Sequence, residues 1–135
     1  MLAALLLACG GIDPTPGVYD VALRTLDADP SCADPWNVAP SDTDTQDWQV
    51  DILLSTMTVD GVLFGDLEDA TFDCGSLLLA DTALGSVAAT VALTGLFTAD
   101  TAFRGTMVTE WTCQGDRCPE DPCAVTQGVE GALRP

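Results

Sequence analysis

Histidine and lysine are both missing from the 135 residues, and only four arginines carry positive charge. Without an imidazole there is no histidine general base, no Ser-His-Asp triad and no histidine metal ligand. Without a lysine amine there is no Schiff base and no phosphate-loop lysine. Long apolar runs are missing as well, since none approaches the ~20 residues a membrane-spanning helix requires. The chemistry left belongs to carboxylates, hydroxyls, thiols and a few guanidinium groups. The chain is therefore expected not to be an enzyme and to need no cofactor. Carboxylate-pair hydrolysis is the one route that survives, and the cluster Asp66, Glu68 and Asp69 is its candidate site. Such a cluster at the end of a strand is more often a solvated surface.

What is abundant is acid. Twenty-one Asp and Glu give a net charge of −17. That field repels nucleic acid and anionic lipid surfaces, and suits cations or basic partners. The plainer reading is a solvated acidic surface. Hydrophobic residues make up 47% of the chain, too many for the disordered class. The length suits one domain able to bury about two-thirds of its surface.

The N-terminal stretch Leu5-Leu6-Leu7-Ala8-Cys9-Gly10-Gly11 joins an apolar run to a small residue and a cysteine. This is the layout of a secretory leader at its cleavage site. Leu6-Leu7-Ala8-Cys9 resembles the lipobox of bacterial lipoproteins. The resemblance implies cleavage before Cys9 and acylation of its sulfur and new amino group. Gly10 in the next position implies the outer membrane rather than the inner. No Lys or Arg precedes Cys9, which departs from the usual positive start of a leader. The alternative is a frayed apolar end with a buried thiol. Each buried methylene contributes about 0.8 kcal/mol, so two or more acyl chains hold stably. Residues 1–8 are thus expected to be the signal peptide and residues 9–17 a linker, with Pro14 and Pro16 making it semi-rigid. Residues 18–135 would form the domain.

Six cysteines in an exported chain indicate disulfides. With Cys9 acylated, Cys32, Cys74, Cys113, Cys118 and Cys123 remain, so one thiol is left over. Cys113 closes one expected strand and Cys123 opens the next. Neighbours at a hairpin base can meet disulfide geometry, so Cys113–Cys123 is the favoured pair. Cys32–Cys74 comes second, with Cys118 unpaired. Five cysteines allow fifteen such arrangements, and the pairing stays open at this point. The spacing Cys113-x4-Cys118-x4-Cys123 is not that of a zinc site.

From Val18 onward, apolar residues recur at every second position. Tyr19, Val21 and Leu23 alternate with Asp20, Ala22 and Arg24; Trp48, Val50 and Ile52 repeat the pattern. Asp60-Gly61 between two apolar runs is a strong hairpin signal. Leu77–Leu93 could start a helix, but its β-branched alternation favours two strands turning at Gly85-Ser86. Asp100-Thr101 marks another turn, followed by a strand to Trp111 and a closing strand from Cys123 to about Leu133. The inward set includes Leu54, Phe64, Phe72, Phe97, Phe103 and Met107. Asp27–Asp47, with three prolines, reads as one long loop. Its Trp36 either plugs an end of the domain or faces a ligand. Its Asp42, Asp44 and Asp47 are a weak calcium candidate, since they lack the glycine and closing glutamate of a helix–loop–helix calcium site.

About eight short strands joined by hairpins indicate an all-β fold. The expectation is an antiparallel up-and-down barrel, or a two-layer sandwich, behind a flexible N-terminal tether. The domain is loosely similar to small lipocalin-like bacterial lipoproteins. The ending Val129-Glu130-Gly131-Ala132-Leu133-Arg134, with Cys113 and Cys123, adds to that resemblance. Two roles follow as expectations. One is an envelope domain, held to the outer membrane by its lipid, with a structural or protein-interaction role. The other is a carrier for a small apolar ligand in the barrel.

Overall fold

The computed structural model describes residues 11–135. The expected leader and Cys9 lie outside the described residues. The rest is an all-β fold: a closed up-and-down barrel of eight antiparallel strands in sequence order. The strands are β1 (Gly17–Ala28), β2 (Thr43–Leu53), β3 (Thr56–Val59), β4 (Leu63–Glu68), β5 (Thr71–Thr82), β6 (Gly85–Ala99), β7 (Ala102–Gln114) and β8 (Cys123–Leu133). A single helical turn, α1 (Pro30–Ala33), sits between β1 and β2. β8 returns to β1, with Tyr19 opposite Leu133 and Ala28 opposite Val125. Among the described residues no helix is long and apolar enough to cross a membrane.

Period-two alternation sorts each strand into a wall and a filling. The filling at the lower end is aromatic. Tyr19, Trp48, Phe72, Phe97 and Phe103 are buried in one cluster with Val50, Met57 and Leu93. Phe103 is the hub: its ring centroid lies 5.2 Å from Tyr19, 5.5 Å from Phe97, 5.7 Å from Phe72 and 6.0 Å from Trp48. These are separations at which edge and offset ring contacts are favourable. Glycine makes the room. A Cβ at Gly131 would stand 2.3 Å from the Phe103 ring, and one at Gly95 would stand 2.6 Å from Phe72.

The lower end is sealed by the chain before β1. The Thr15 N–H donates to the Asp100 carbonyl at 2.8 Å, and the Tyr19 hydroxyl donates to the Thr15 carbonyl at 2.6 Å. The Asp13 N–H donates to the Asp100 carboxylate at 2.7 Å. Residues 13–15, part of the stretch expected as a semi-rigid linker, are thus fastened across the turn between β6 and β7.

The upper end is closed by the β1–β2 connection. Trp36 is buried against Cys32, Val125, Val87 and Trp111, and its Nε1–H donates to the Asp121 carbonyl at 2.7 Å. The Asp29 carboxylate accepts from the Ala124 N–H at 2.9 Å. This segment is shorter than the loop expected from composition, because β2 begins at Thr43 rather than Trp48.

Two inward assignments are corrected. Phe64 is 56% exposed and Leu54 is 92% exposed. Leu63 pairs directly with Val59, and directly opposed residues share a face, so Leu63 and Leu67 point in and Phe64 points out. Leu54 lies in the β2–β3 turn at φ 56° rather than in a strand. The Asp60-Gly61 hairpin has φ 51° and 70°, both positive as such a turn requires. The turn between β5 and β6 falls at Ala83-Leu84, since Thr82 pairs with Gly85.

The disulfides also differ from expectation. Among the described residues they are Cys32–Cys123 and Cys113–Cys118, and Cys74 is left free and buried. Cys113–Cys123 fails because the pair at the hairpin base is Trp111–Cys123. Cys113 stands two residues further along β7 and meets Cys118 within its own loop, at a Cα separation of 5.6 Å. Cys32–Cys74 fails because Cys74 follows Phe72 into the interior, while α1 carries Cys32 to the start of β8.

Two outcomes are expected. Gly131→Ala should overfill the ring cluster and cost about 1–3 kcal/mol in urea unfolding; an unchanged midpoint would contradict the packing. The Cys32–Cys123 link spans 91 residues and Cys113–Cys118 spans 5. Loop-closure entropy grows with span, so replacing the first pair by serine should cost about 4–5 kcal/mol and the second about 2 kcal/mol. Denaturation of the two double variants measures this, and the reverse order would contradict it.

Candidate functional site

The barrel wall is not of even height. β3 and β4 are short, while β2 and β5 on either side run on above them. β2 pairs with β3 only over Val50–Leu53, and β5 pairs with β4 only over Thr71–Gly75. Thr43–Trp48 of β2 and Ser76–Thr82 of β5 therefore have a strand on one side only. The result is a notch in the side of the barrel, with a free strand edge at each flank and the Asp60-Gly61 turn as its sill.

The ladders show which main-chain groups face the notch. In an antiparallel pair, residues alternate between bonding one neighbour and the other. The two-residue turns put Thr71, Asp73 and Gly75 toward β4 and Ser76, Leu78, Ala80 and Thr82 toward β6. Leu77, Leu79 and Asp81 therefore present N–H and C=O groups to the open side. On the other flank, both main-chain groups of Gln49 are capped by Asp60, whose N–H and carboxylate reach them at 2.8 Å.

The inner surface behind the notch is half-buried rather than buried. Val91, Met107, Thr109 and Gln127 all face inward at this level and remain partly accessible. On β2, a polar ladder climbs the same inner face. The Trp48 Nε1–H donates to Gln46 at 2.9 Å, and the Gln46 side-chain amide donates to Asp44 at 3.2 Å. Below that level the ring cluster fills the barrel.

Two adjoining open concavities, ≈ 670 and ≈ 640 Å³, lie on the outer wall across β2, β1, β8, β7 and β6. Small residues, among them Ala22, Gly128 and Ala132, form their floor, and Arg24, Arg104 and Glu130 stand around it.

The residues singled out in the sequence do not converge. Asp44 faces the notch, whereas Asp47 faces outward and accepts from Arg134 at 2.6 Å. Strand alternation sends them to opposite faces, which a loop would not have done. Asp66 and Glu68 are exposed on the outside of β4, opposite Asp73 and Thr71, and Asp69 occupies the following turn. They line no cleft. Among the described residues no group of three potential ligands gathers into a metal site. Trp36 packs into the upper cluster rather than facing the notch.

The notch itself was not foreseen. Its signal was present in strand lengths, because the run before Asp60-Gly61 and the run after it are both short, and the leucine-rich run that follows is long.

Cys74 is 2% exposed and its Sγ lies 3.9 Å from the Met57 carbonyl. Burial, with Asp73 and Asp66 nearby, pushes its pKa up to about 11 from 9.0. Burial and Asp100 push the Tyr19 phenol in the same direction. A raised folded-state pKa means a contribution that is whole below pH 9 and fades as the pH rises through 11. The melting temperature is expected to fall over that interval, and less steeply in Cys74→Ala. Equal slopes for the two proteins would contradict the assignment.

Comparison with protein-family models, with curated proteins and with solved structures finds no match for this chain.

Proposed function

We propose that this protein is a lipid-tethered domain of the bacterial cell envelope, held to the outer membrane through Cys9, whose role is structural and protein-binding. One observation carries the reading. The lower interior is occupied by the protein's own rings, with Tyr19, Phe72, Phe97 and Phe103 all at 2% exposure or less. A barrel filled in this way offers its wall and rim to partners rather than its interior to a ligand. The tether rests on Leu6-Leu7-Ala8-Cys9 and on two disulfides, which suit an oxidising compartment. The absence of His and Lys, with Asp66, Glu68 and Asp69 all exposed on the surface, favours a non-enzymatic role.

A carrier is the second reading. The half-buried Val91, Met107, Thr109 and Gln127 behind the notch favour it, since a small apolar molecule could rest there.

Two measurements test the proposal. Cys9→Ser should move the protein from the membrane fraction to the soluble fraction, and unchanged partitioning would remove the tether. Titration with 1-anilinonaphthalene-8-sulfonate and a fluorescent fatty acid should show no saturable uptake at micromolar concentration. Stoichiometric uptake, lost in Met107→Trp, would replace the scaffold by the carrier.

A further inference from the structure

We infer that the free edge of β5, Ser76–Thr82, is a docking edge that accepts an extended, basic segment of a partner protein as an added strand. The inference rests on the protein-binding role proposed above and names its partner by chemistry.

The main-chain argument comes first. Leu77, Leu79 and Asp81 present donors and acceptors to the notch, and among the described residues no strand lies beside them. Proteins ordinarily blunt such an edge with charges, proline, a bulge or a covering segment. Here the ladder with β6 runs without a break from Thr71 to Thr82. Its side chains are apolar on both faces: Leu77, Leu78 and Leu79 are 60%, 54% and 75% exposed. Asp81 is the one charge in the segment. A strand laid along this edge would complete its hydrogen bonds and shield leucines on each face, which is how extended peptides add to sheet edges.

Charge selects the occupant. Between Thr43 and Ala99, the chain that makes β2 to β6, there are nine acidic residues and no Lys or Arg. The four arginines stand elsewhere: Arg24 on β1, Arg104 on β7, Arg117 in the β7–β8 loop and Arg134 after β8. The strands that frame the notch therefore carry acid and no basic residue of their own, although Arg134 reaches Asp47 on the outer face of β2 and Arg24 lies opposite Thr43. Asp42 and Asp44 stand on one flank and Asp81 on the other. A segment alternating apolar residues with Lys or Arg would meet leucine on the strand and carboxylate around it. A second copy would bring a negative edge against a negative edge, which disfavours it.

The experiment uses two heptapeptide probes, Lys-Val-Lys-Val-Lys-Val-Lys and its glutamate twin, with the termini blocked. In the free protein the Leu77, Leu79 and Asp81 amides should exchange quickly with solvent. The lysine peptide should protect those three amides and bind at micromolar concentration. The glutamate twin should bind at least tenfold more weakly, and added salt should weaken the lysine peptide. Leu79→Pro removes an N–H that bonds nothing within the barrel, so it should keep the melting temperature and lose at least tenfold in affinity. Should that variant fail to fold, the lysine peptide N-methylated at every residue, which blocks both of its edges, gives the same answer on the parent protein by failing to bind. Equal binding to Leu79→Pro would overturn the inference. So would binding that leaves the three amides exchanging, amides already protected before peptide is added, or no binding by either peptide. A dimer in sedimentation that Leu79→Pro dissolves would overturn it in favour of a second copy. Uptake of the apolar probes would defeat the scaffold reading alone, because the edge is read from the β5 amides.

Discussion

The packing of Phe103 against its ring neighbours is the constraint on which the rest of the molecule depends. An eight-stranded cylinder has an interior just wide enough for side chains to fill. Here Phe103 reaches across it to touch rings from β1, β2, β5 and β6. That is possible only because the wall beside it, at Gly131, carries no side chain. Residue size is thus coordinated across strands far apart in sequence. The lower half becomes rigid and closed, and this in turn leaves the upper half as the place where the barrel can afford to be uneven.

Uneven strand length then does the rest. Short β3 and β4 neither reach the height of β2 and β5 nor cover their edges. The β1–β2 connection closes the top from the other side, where Cys32, Trp36 and Cys123 hold it to β8. The opening therefore faces sideways. The strands that frame it, β2 to β5, carry no Lys or Arg, whereas β1 and β7 carry Arg24 and Arg104.

Much of this was legible in the sequence. Alternation at Tyr19-Val21-Leu23 and Trp48-Val50-Ile52, the Asp60-Gly61 turn and the closing strand from Cys123 each follow from local rules. Together they give an all-β meander. Facing was lost where local rules are silent. Phe64 and Leu63 are adjacent and both apolar, and only the pairing of Leu63 with Val59 decides which one enters. The disulfides failed for a related reason. Hairpin logic placed Cys113 and Cys123 together correctly to within two residues, but a bridge needs closer register than that. Cys74 sat at an inward position behind Phe72 all along, where a thiol behaves as a small apolar side chain. The notch escaped notice because its signal is a difference in length between strands, not a property of any one of them.

The seam between β1 and β8 sets the order of assembly. The first strand finds its second neighbour only when the last strand arrives, with Leu23 beside Val129 and Tyr19 beside Leu133. A nascent chain that has emerged only through β7 has its aromatic filling but lacks the staves that enclose it. Sealing is thus a late event in the life of each molecule. The bond from Cys32 to Cys123 ties the β1–β2 connection to the first residue of that last strand, so it cannot form before β8 is present.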